Sequence, residues 1–307
     1  MKRNRFAAWM APIFTLMLFA SSCFAAEGSS AGIGTLWKVQ HTGTIVVGYR
    51  TSSVPFSFTT ATDNTPTGFA IDICRHAVDA IRVAAGKPSA KMIFVEAERP
   101  DRLARLVSGE LDLECGETTM QDPRLQHVGM SVPIFQTETR LLVLQESPYQ
   151  SFGDLHSKRL AYTAGTIAEE FLIKREAQGN LLVENVAKRT DIESLNAVVS
   201  GEVDAWYVPD LTAMILLAKG AGQERGFRII GEGVVKNKIV IAIRRDDVEV
   251  KKIVDEAIGK LIASGEFDNI YNKWFMSPIQ PYGFNVKYRK RAEPNAATAN
   301  SAPAKLW

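Results

Sequence analysis

Charged and hydroxyl side chains follow several predicted strands and could together bind a small anion or zwitterion. Arg50 comes directly after the apolar run 44–49, and Glu117 and Thr119 follow a predicted strand at 111–115. In open α/β sheets, ligands bind at the carboxyl ends of the strands. A cation placed directly after a buried strand needs a partner, which is either an acidic side chain or a ligand.

Arg102 lies at the start of a predicted helix, 101–108, which Pro100 precedes and Gly109 ends. Unpaired amides and the helix dipole favour an anion at such a position, and a guanidinium can hold a carboxylate with two hydrogen bonds. Taken by itself, the residue fits a surface arginine equally well.

Two further positions could contact the same ligand. Thr166 ends the run Thr-Ala-Gly-Thr at 163–166 before a predicted helix, where backbone amides give a weaker anion signal. Asp210 follows a predicted strand, 205–208, and could accept an ammonium group. It could equally cap the helix that starts at Leu211, and the cap is the simpler interpretation of this residue alone.

Common catalytic signatures are missing from the sequence. It contains neither a glycine-rich phosphate loop nor a Gly-x-Ser-x-Gly elbow, and its histidines are scattered without ligand spacing. We therefore expect no metal and no cofactor. The histidines are His41, His76, His127 and His156.

The N-terminus resembles an export signal. Residues 1–25 combine a basic start with an apolar stretch at 7–20 and small residues before a cleavage point after Ala25. The stretch is shorter than the roughly 20 residues that span a bilayer. We expect a cleaved signal peptide and a soluble exported protein, with a lipid anchor on Cys23 as the alternative.

Removal of residues 1–25 takes away three basic side chains and no acidic one, so the net charge changes from +2 to −1. This balance predicts no nucleic-acid partner. Cys74 and Cys115 would then be the remaining cysteines, and in an oxidising compartment they either pair or stay buried as thiols.

Strands alternate with helices along the chain, which predicts βαβ units and a mainly parallel sheet. Residues 59–67 read as a loop, and the apolar stretches 137–144 and 238–244 are candidate hinge strands. The other strands are predicted at 44–49, 91–95, 111–115, 159–163, 181–186 and 205–208, and the helices at 70–85, 101–108, 168–178, 192–200, 250–264 and 267–275.

Three segments together resemble the periplasmic polar amino-acid-binding proteins of ABC transporters, and most closely their glutamate/aspartate-binding branch. They are Gly-Thr-Ile-Val-Val-Gly-Tyr-Arg-Thr-Ser-Ser-Val-Pro-Phe-Ser at 43–57, Leu-Glu-Cys-Gly at 113–116 with the threonines at 118–119, and Lys-Trp-Phe at 273–275 with Pro-Ile-Gln-Pro at 278–281. The resemblance spans roughly residues 35–286.

The resemblance implies an α/β, two-lobed periplasmic-binding-protein fold of type II. Each lobe would be a mainly parallel sheet flanked by helices, and two hinge strands would join the lobes. The first lobe would comprise residues 35–136 plus 243–286, and the second lobe residues 140–240. The remainder, 287–307, is expected to be a loose C-terminal tail.

By position, the resemblance implies that Arg102 and Thr119 hold the α-carboxylate of an amino acid. Thr166 would assist from the other lobe, Asp210 would take the α-ammonium, and Arg50 would hold a side-chain carboxylate.

The chain departs from that branch at three positions that the resemblance places in the cleft. Arg99 and Glu117 stand where small hydroxyl residues are usual, and Asp191 stands where a histidine is usual. Glu117 and Asp191 would repel an acidic ligand unless they pair with Arg99 or Arg50. The branch's second cysteine falls on Ile241, so we expect Cys115 to be a buried thiol unless Cys74 reaches it.

The resulting hypothesis is a monomeric binding protein of the periplasm, without enzymatic activity, that captures an amino acid, glutamate, aspartate or a related acidic compound, by hinge closure. Its partners would be that ligand and the membrane permease of an ABC importer. The alternatives are an enzyme on the same scaffold, similar to cyclohexadienyl dehydratase with Glu117 as an acid, and a ligand-sensing module for a receptor.

Overall fold

The computed structural model describes residues 34–60, 63–98, 101–120, 126–179, 182–222 and 225–289. The predicted signal peptide with Cys23, and the cleft candidate Arg99, lie outside the described residues. What the sequence predicts for them therefore stays a prediction.

Within the described ranges, the first part of the chain forms α1 (Thr35–Thr42), β1 (Thr44–Tyr49), β2 (Ser52–Ser53), β3 (Ser57–Thr60), β4 (Asp63–Thr67), α2 (Phe69–Ala84), β5 (Lys91–Glu96), α3 (Arg102–Val107), β6 (Leu113–Thr119), β7 (Val128–Met130) and β8 (Phe135–Leu144). There follow a 3₁₀ turn (Phe152–Leu155), β9 (Arg159–Thr163), α4 (Ile167–Ala177), β10 (Glu184–Lys188), α5 (Asp191–Ser200), β11 (Ala205–Pro209), α6 (Asp210–Ala218), β12 (Phe227–Arg244), α7 (Val248–Ser264), α8 (Glu266–Tyr271) and a π-helical turn (Asn272–Met276).

One sheet runs through the whole molecule in the order β10-β9-β11-β8-β12-β6-β1-β5, with β7 paired to β12 at its side. In the first half, β1 lies between β5 and β6 and parallel to both. Ile45 and Val47 of β1 are fully buried, as suits a parallel strand covered by helices. From α2, the stripe Ile73, Ala77 and Ile81 packs into the same core.

Aromatic rings fill much of this first core. The ring centroids of Phe135 and Phe275 lie 4.6 Å apart, and those of Phe69 and Phe275 lie 5.1 Å apart. Phe56 meets Phe135 edge-on at 5.1 Å. Because Phe135 is the first residue of β8, this long strand starts inside the first core and then leaves it.

The second half contains the parallel strands β10, β9 and β11, with β8 antiparallel to β11. Successive residues of a strand point to opposite faces. Tyr207 packs with Leu141 and Leu160 on one face, whereas Trp206 packs with Leu142 on the other. Both faces of this half are therefore covered by their own apolar clusters.

The strands β8 and β12 join the two halves as an antiparallel pair, from Phe227 opposite Leu144 to Ile239 opposite Phe135. They contain the predicted hinge stretches 137–144 and 238–244, but β12 starts eleven residues earlier than predicted. A register shift between Ile230 and Val235 interrupts the pairing. The glycines of that region broke the apolar pattern that the prediction used.

Cys74 and Cys115 form a disulfide between α2 and β6, with their Cα atoms 6.3 Å apart. Of the two alternatives open for Cys115, pairing with Cys74 is therefore confirmed and the buried free thiol is wrong. The reason is geometric: α2 packs directly over β6, and this contact brings together two residues that are 41 positions apart in the chain.

Two other local predictions differ from the structure. The predicted loop 59–67 contains most of a hairpin, because β3 pairs with β4 and also with β2 in a separate small sheet. Tyr288 falls in the segment that was expected to be loose, yet it is buried and packs against Phe135.

No helix among the described residues combines the length and apolarity needed to cross a membrane.

Candidate functional site

The parallel strands of the two halves point their carboxyl ends at each other. Thr119, the last residue of β6, lies opposite Ile239 of β12. Pro209, the last residue of β11, lies opposite Thr139 of β8, which in turn lies opposite Val235 of β12. Four residues of an extended strand span about 13 Å. The strand ends at Thr119 and Pro209, one from each half, therefore lie beside one short stretch of the paired strands β8 and β12.

In the first half, Arg50 is the centre of an ion-pair cluster. Its Nε lies 3.1 Å from Oε2 of Glu98, and its Nη1 lies 3.3 Å from Oε2 of Glu117. The same Nη1 donates to Oγ of Ser53 at 3.2 Å, and that hydroxyl donates to Glu117 at 2.5 Å. The structure thus joins two predicted site residues, Arg50 and Glu117, in direct contact.

Glu98 holds Arg50 from the end of β5. Its Oε1 accepts hydrogen bonds from the backbone nitrogen and the hydroxyl of Thr51, at 2.7 and 3.0 Å. Burial by itself would raise the pKa of Glu98, but the hydrogen bonds from Thr51 and Arg50 outweigh burial and hold the pKa below its usual value. Glu98 is therefore a fixed anion beside the guanidinium.

Arg102 is completely buried, so the interpretation as a surface arginine is wrong. Its Nε lies 3.5 Å from Oε1 of Glu114 and 3.2 Å from Oγ1 of Thr118. Thr118 in turn donates a short hydrogen bond to Glu114, which also accepts from the backbone nitrogen of Gly116 at 2.9 Å. Burial raises the pKa of Glu114, although the nearby Arg102 acts in the opposite direction.

Gly116 makes this arrangement possible. A Cβ at this position would overlap the carboxylate of Glu114 and would lie 2.9 Å from Cγ of Arg50. The glycine thus leaves room for both the Glu114 carboxylate and the Arg50 side chain beside β6. Thr119, which follows on the same strand, is partly exposed at the strand's end.

The second half contributes hydroxyl groups and one short acid. Thr163, at the end of β9, donates to Oδ1 of Asp191 at 2.7 Å and lies 3.0 Å from Oγ of Ser194. Thr166 donates to the backbone oxygen of Thr163 at 2.6 Å. Asp191 is the first residue of α5, which Thr190 caps through the nitrogen of Glu193. Two predicted site residues, Thr166 and Asp191, are thus linked through Thr163.

Asp210 lies where the halves meet and is almost completely buried. Its Oδ1 accepts from Oγ1 of Thr137 on β8 at 2.5 Å and from the hydroxyl of Tyr288 at 3.0 Å. The nitrogens of Leu211 and Glu138 also donate to this oxygen. Pro209, not Asp210, occupies the N-cap of α6, so the predicted cap is one residue off.

The sequence analysis did not identify several residues that contact the predicted site residues. Glu98 follows β5 just as Arg50 follows β1, so the strand-end rule that selected Arg50 could have found it. Ser194 and Tyr288 carry no comparable signal, since one lies inside a helix and the other beyond the last helix. Among the described residues, no cluster of three or more histidine, cysteine or acidic side chains could hold a metal ion.

Comparison of the chain with known proteins identifies a matching family. The model of the bacterial extracellular solute-binding proteins, family 3, matches residues 45–277. The chain is 32% identical to an L-glutamate/L-aspartate-binding protein of Pseudomonas aeruginosa over 83% of this chain and 84% of the relative. It is 29% identical to a glutamate/aspartate import solute-binding protein of Escherichia coli K12, over 92% and 93% of the two chains.

A solved structure shares the fold. An ancestral amino acid-binding protein, described as a precursor of cyclohexadienyl dehydratase, superimposes with a TM-score of 0.58 at 24% identity, over 78% of this chain and 99% of that one. The predicted family and the predicted two-lobed α/β fold are confirmed.

Proposed function

The chain belongs to family 3 of the bacterial extracellular solute-binding proteins, and on that premise we propose that it captures an amino acid in the periplasm for an ABC importer. The observation that carries the proposal is the opposition of strand ends across β8 and β12. In the proposal, a buried guanidinium from one half and hydroxyl and acidic groups from the other meet at this stretch of sheet. A zwitterion presents the complementary charges.

In this proposal, Arg102 and Thr119 bind the α-carboxylate of the ligand. Arg102 is suited to the task because Glu114 and Thr118 fix its guanidinium through Nε, so little side-chain freedom is lost on binding. Thr166 adds a contact from the second half. Asp210 receives the α-ammonium, in exchange for one of the donors that its Oδ1 holds in this structure.

Closure of the two halves around the ligand follows from the same connectivity. Residues 35–136 plus 243–286 form the first lobe of the proposal and residues 140–240 the second, and the pair β8 and β12 is the hinge. Because each lobe supplies part of the polar contacts, the closed form gains stability when a ligand bridges them. The closed, monomeric protein would be the form that the membrane permease recognises.

Relatives that are 29–32% identical over most of both chains are named for glutamate and aspartate, which supports a ligand from that group. A thermal-shift screen of the twenty amino acids tests this. A ligand present at 100 times its Kd adds about 2.7 kcal/mol to stability, which raises Tm by several degrees. The proposal fails if no amino acid raises Tm.

Two variants of the same helix sharpen the screen. Arg102→Lys keeps the charge but loses the planar fork, so we expect the ligand-induced shift to disappear for every amino acid. Arg105→Lys is the matched control, because Arg105 pairs with Glu110 on the outer surface. An unchanged shift in Arg102→Lys would remove Arg102 from the proposed site.

The proposal also states that the protein binds without turnover. The relatives named above are binding proteins, and a cyclohexadienyl dehydratase activity is the specific enzymatic alternative. Incubation with prephenate or arogenate tests it, with the ultraviolet spectrum followed for an aromatic product. We expect no aromatic product. If a product forms and its formation depends on Glu117, the protein is an enzyme and the proposal of binding alone is wrong.

A further inference from the structure

The ion-pair cluster around Arg50 has an excess of negative charge among the described residues. One guanidinium lies between the carboxylates of Glu98 and Glu117, at 3.1 and 3.3 Å. The other polar groups at this position are the hydroxyls of Ser53 and Thr51. Arg50 is the residue that the family resemblance assigns to a side-chain carboxylate of the ligand, and here its charge is already balanced.

The two carboxylates are not equivalent. Glu98 uses Oε1 for both groups of Thr51 and Oε2 for Arg50, so its two oxygens are occupied. The two hydrogen bonds of Glu117, from Ser53 and Arg50, both fall on Oε2. Among the described residues no donor reaches its Oε1, which is therefore available to a ligand, and about a third of the side chain is exposed.

We propose that Arg50 and Glu117 together form the subsite for the ligand's side chain, and that this subsite takes an uncharged head group with one acceptor and one donor. The carboxamide of glutamine or asparagine has this form. The carboxyl of glutamate or aspartate has it only when it carries a proton. The proposal rests on the proposed function, which it deepens by naming the charge state of the bound side chain.

The physical argument is one of matching donors and acceptors. The guanidinium has only donors and the carboxylate of Glu117 only acceptors, so a head group between them must accept on one side and donate on the other. An ionised carboxylate would bring a third negative charge to a single guanidinium in a partly buried place. Two carboxylates that share such a position retain a proton between them. Glutamate would therefore bind together with one proton.

Charged groups near Glu117 come from four segments of the described chain. Arg50 follows β1, Glu98 follows β5, and the buried Glu114 and its partner Arg102 lie on β6 and α3. Two cations thus face three acids. Among the described residues, which exclude Arg99, this balance leaves no unpaired positive charge to receive another anion at this position.

Isothermal titration of the full mature chain with L-glutamine and L-glutamate between pH 5.5 and 8.5 tests the proposal. We expect the Kd for glutamine to be nearly independent of pH. The Kd for glutamate should rise about tenfold per pH unit across this range, because the free carboxyl is already ionised at its lower end and one proton must be taken up. Titrations in buffers with different ionisation enthalpies should show uptake of one proton with glutamate and none with glutamine.

A variant pair adds a second readout. Glu117→Gln removes the negative charge and keeps the shape, so its affinity for glutamate at pH 8 should rise at least about tenfold and lose its pH dependence. Glu96→Gln is the matched control, because this substitution removes the same charge from an exposed side chain at the end of β5. It should leave both ligands unaffected.

The outcomes separate this proposal from the proposed function. If wild-type protein binds glutamate without proton uptake and equally well at pH 6 and pH 8, the uncharged head group is wrong while amino-acid capture stands. The same holds if a cationic or apolar amino acid binds best. If no amino acid binds at any pH, the proposed function itself is wrong.

Discussion

The two halves of the candidate site use different chemistry. The first half is held by ion pairs, with Arg50 between two acids and Arg102 fully buried against Glu114. The second half is held by hydroxyl groups, with Thr163 at the centre of contacts to Asp191 and Ser194. Ion pairs in a buried place fix orientation before a ligand arrives, whereas hydroxyls can rotate to suit it.

Under the proposed function, this difference would give the two halves separate tasks. A preorganised charged surface can select the ligand and hold it first. A hydroxyl-rich surface can then complete the contacts as the halves approach, because each hydroxyl both donates and accepts. Four predictions test whether the first half is the rigid one.

The largest effect is expected at the buried guanidinium. Arg102→Ala leaves Glu114 as an uncompensated buried acid, and breaking such a pair costs about 3–5 kcal/mol of unfolding free energy. Arg189→Ala in the second half is the control, because the Arg189 side chain is 90% exposed and pairs with Glu193. Exposed pairs contribute less than about 1 kcal/mol. Urea denaturation measures both, and equal losses would contradict the comparison.

The disulfide should give the next largest effect. Replacement of Cys74 and Cys115 by serine opens a cross-link between residues 41 positions apart. The chain-entropy model puts the loss at about 3–4 kcal/mol. Hydrogen exchange of the variant should show faster opening in α2 and β6 than in α5 and β11. Uniform acceleration throughout the sheet would mean that the halves unfold as one unit.

A smaller effect is expected where the halves touch. Tyr288→Phe removes the hydroxyl that donates to Asp210, while the ring keeps its place beside Phe135. Hydrogen bonds to charged groups contribute about 1.5–3 kcal/mol, and other donors to Asp210, among them Thr137, reduce the loss toward the lower value. Tyr282→Phe is the control, since Tyr282 is exposed on the same segment. Thermal denaturation compares the two, and an equal loss in both would argue against the contact.

The smallest effects are pH dependences of opposite sign within the first half. The pKa of Glu98 is lower in the folded chain, so its stabilisation is present above the ordinary value of 4.5 and is lost as the pH falls through the folded value. The pKa of Glu114 is raised by burial, so its contribution is present below 4.5 and is lost as the pH rises through the folded value.

Glutamine substitutions separate the two contributions. Glu98→Gln should flatten the decline of unfolding free energy below pH 4.5, by less than about 1 kcal/mol because the side chain is partly exposed. Glu114→Gln should flatten the decline above pH 4.5. Urea titrations at several pH values measure the slopes. If both variants change the same limb of the profile, the opposite signs are wrong.

The sequence predicted much of the scaffold because the scaffold depends on local patterns. Apolar periodicity located α2, α5 and α7 to within one or two residues of their ends. The strand-end rule selected Arg50 and Glu117, which the structure joins. Local patterns failed where glycines interrupt β12 and where short polar strands form the hairpin of β3 and β4.

The partners of the site could not be predicted in the same way. The pairs of Arg102 with Glu114 and of Cys74 with Cys115 depend on how a helix packs on a strand. The contact of Tyr288 with Asp210 joins residues 78 positions apart. No periodicity within a segment encodes such distances. Three-dimensional packing determines which residues become partners. It therefore also determines the charge of the proposed subsite.

The path of the chain through β8 and β12 also makes the second half separable. The chain leaves the first half on one strand and returns on its neighbour, where the nitrogen of Gln145 donates to the oxygen of Gly226 at 2.7 Å. Neighbouring strands lie only about 5 Å apart. Residues 146–225 therefore form a cassette with adjacent ends, which could be exchanged for the matching segment of a relative while the ion pairs of the first half stay unchanged.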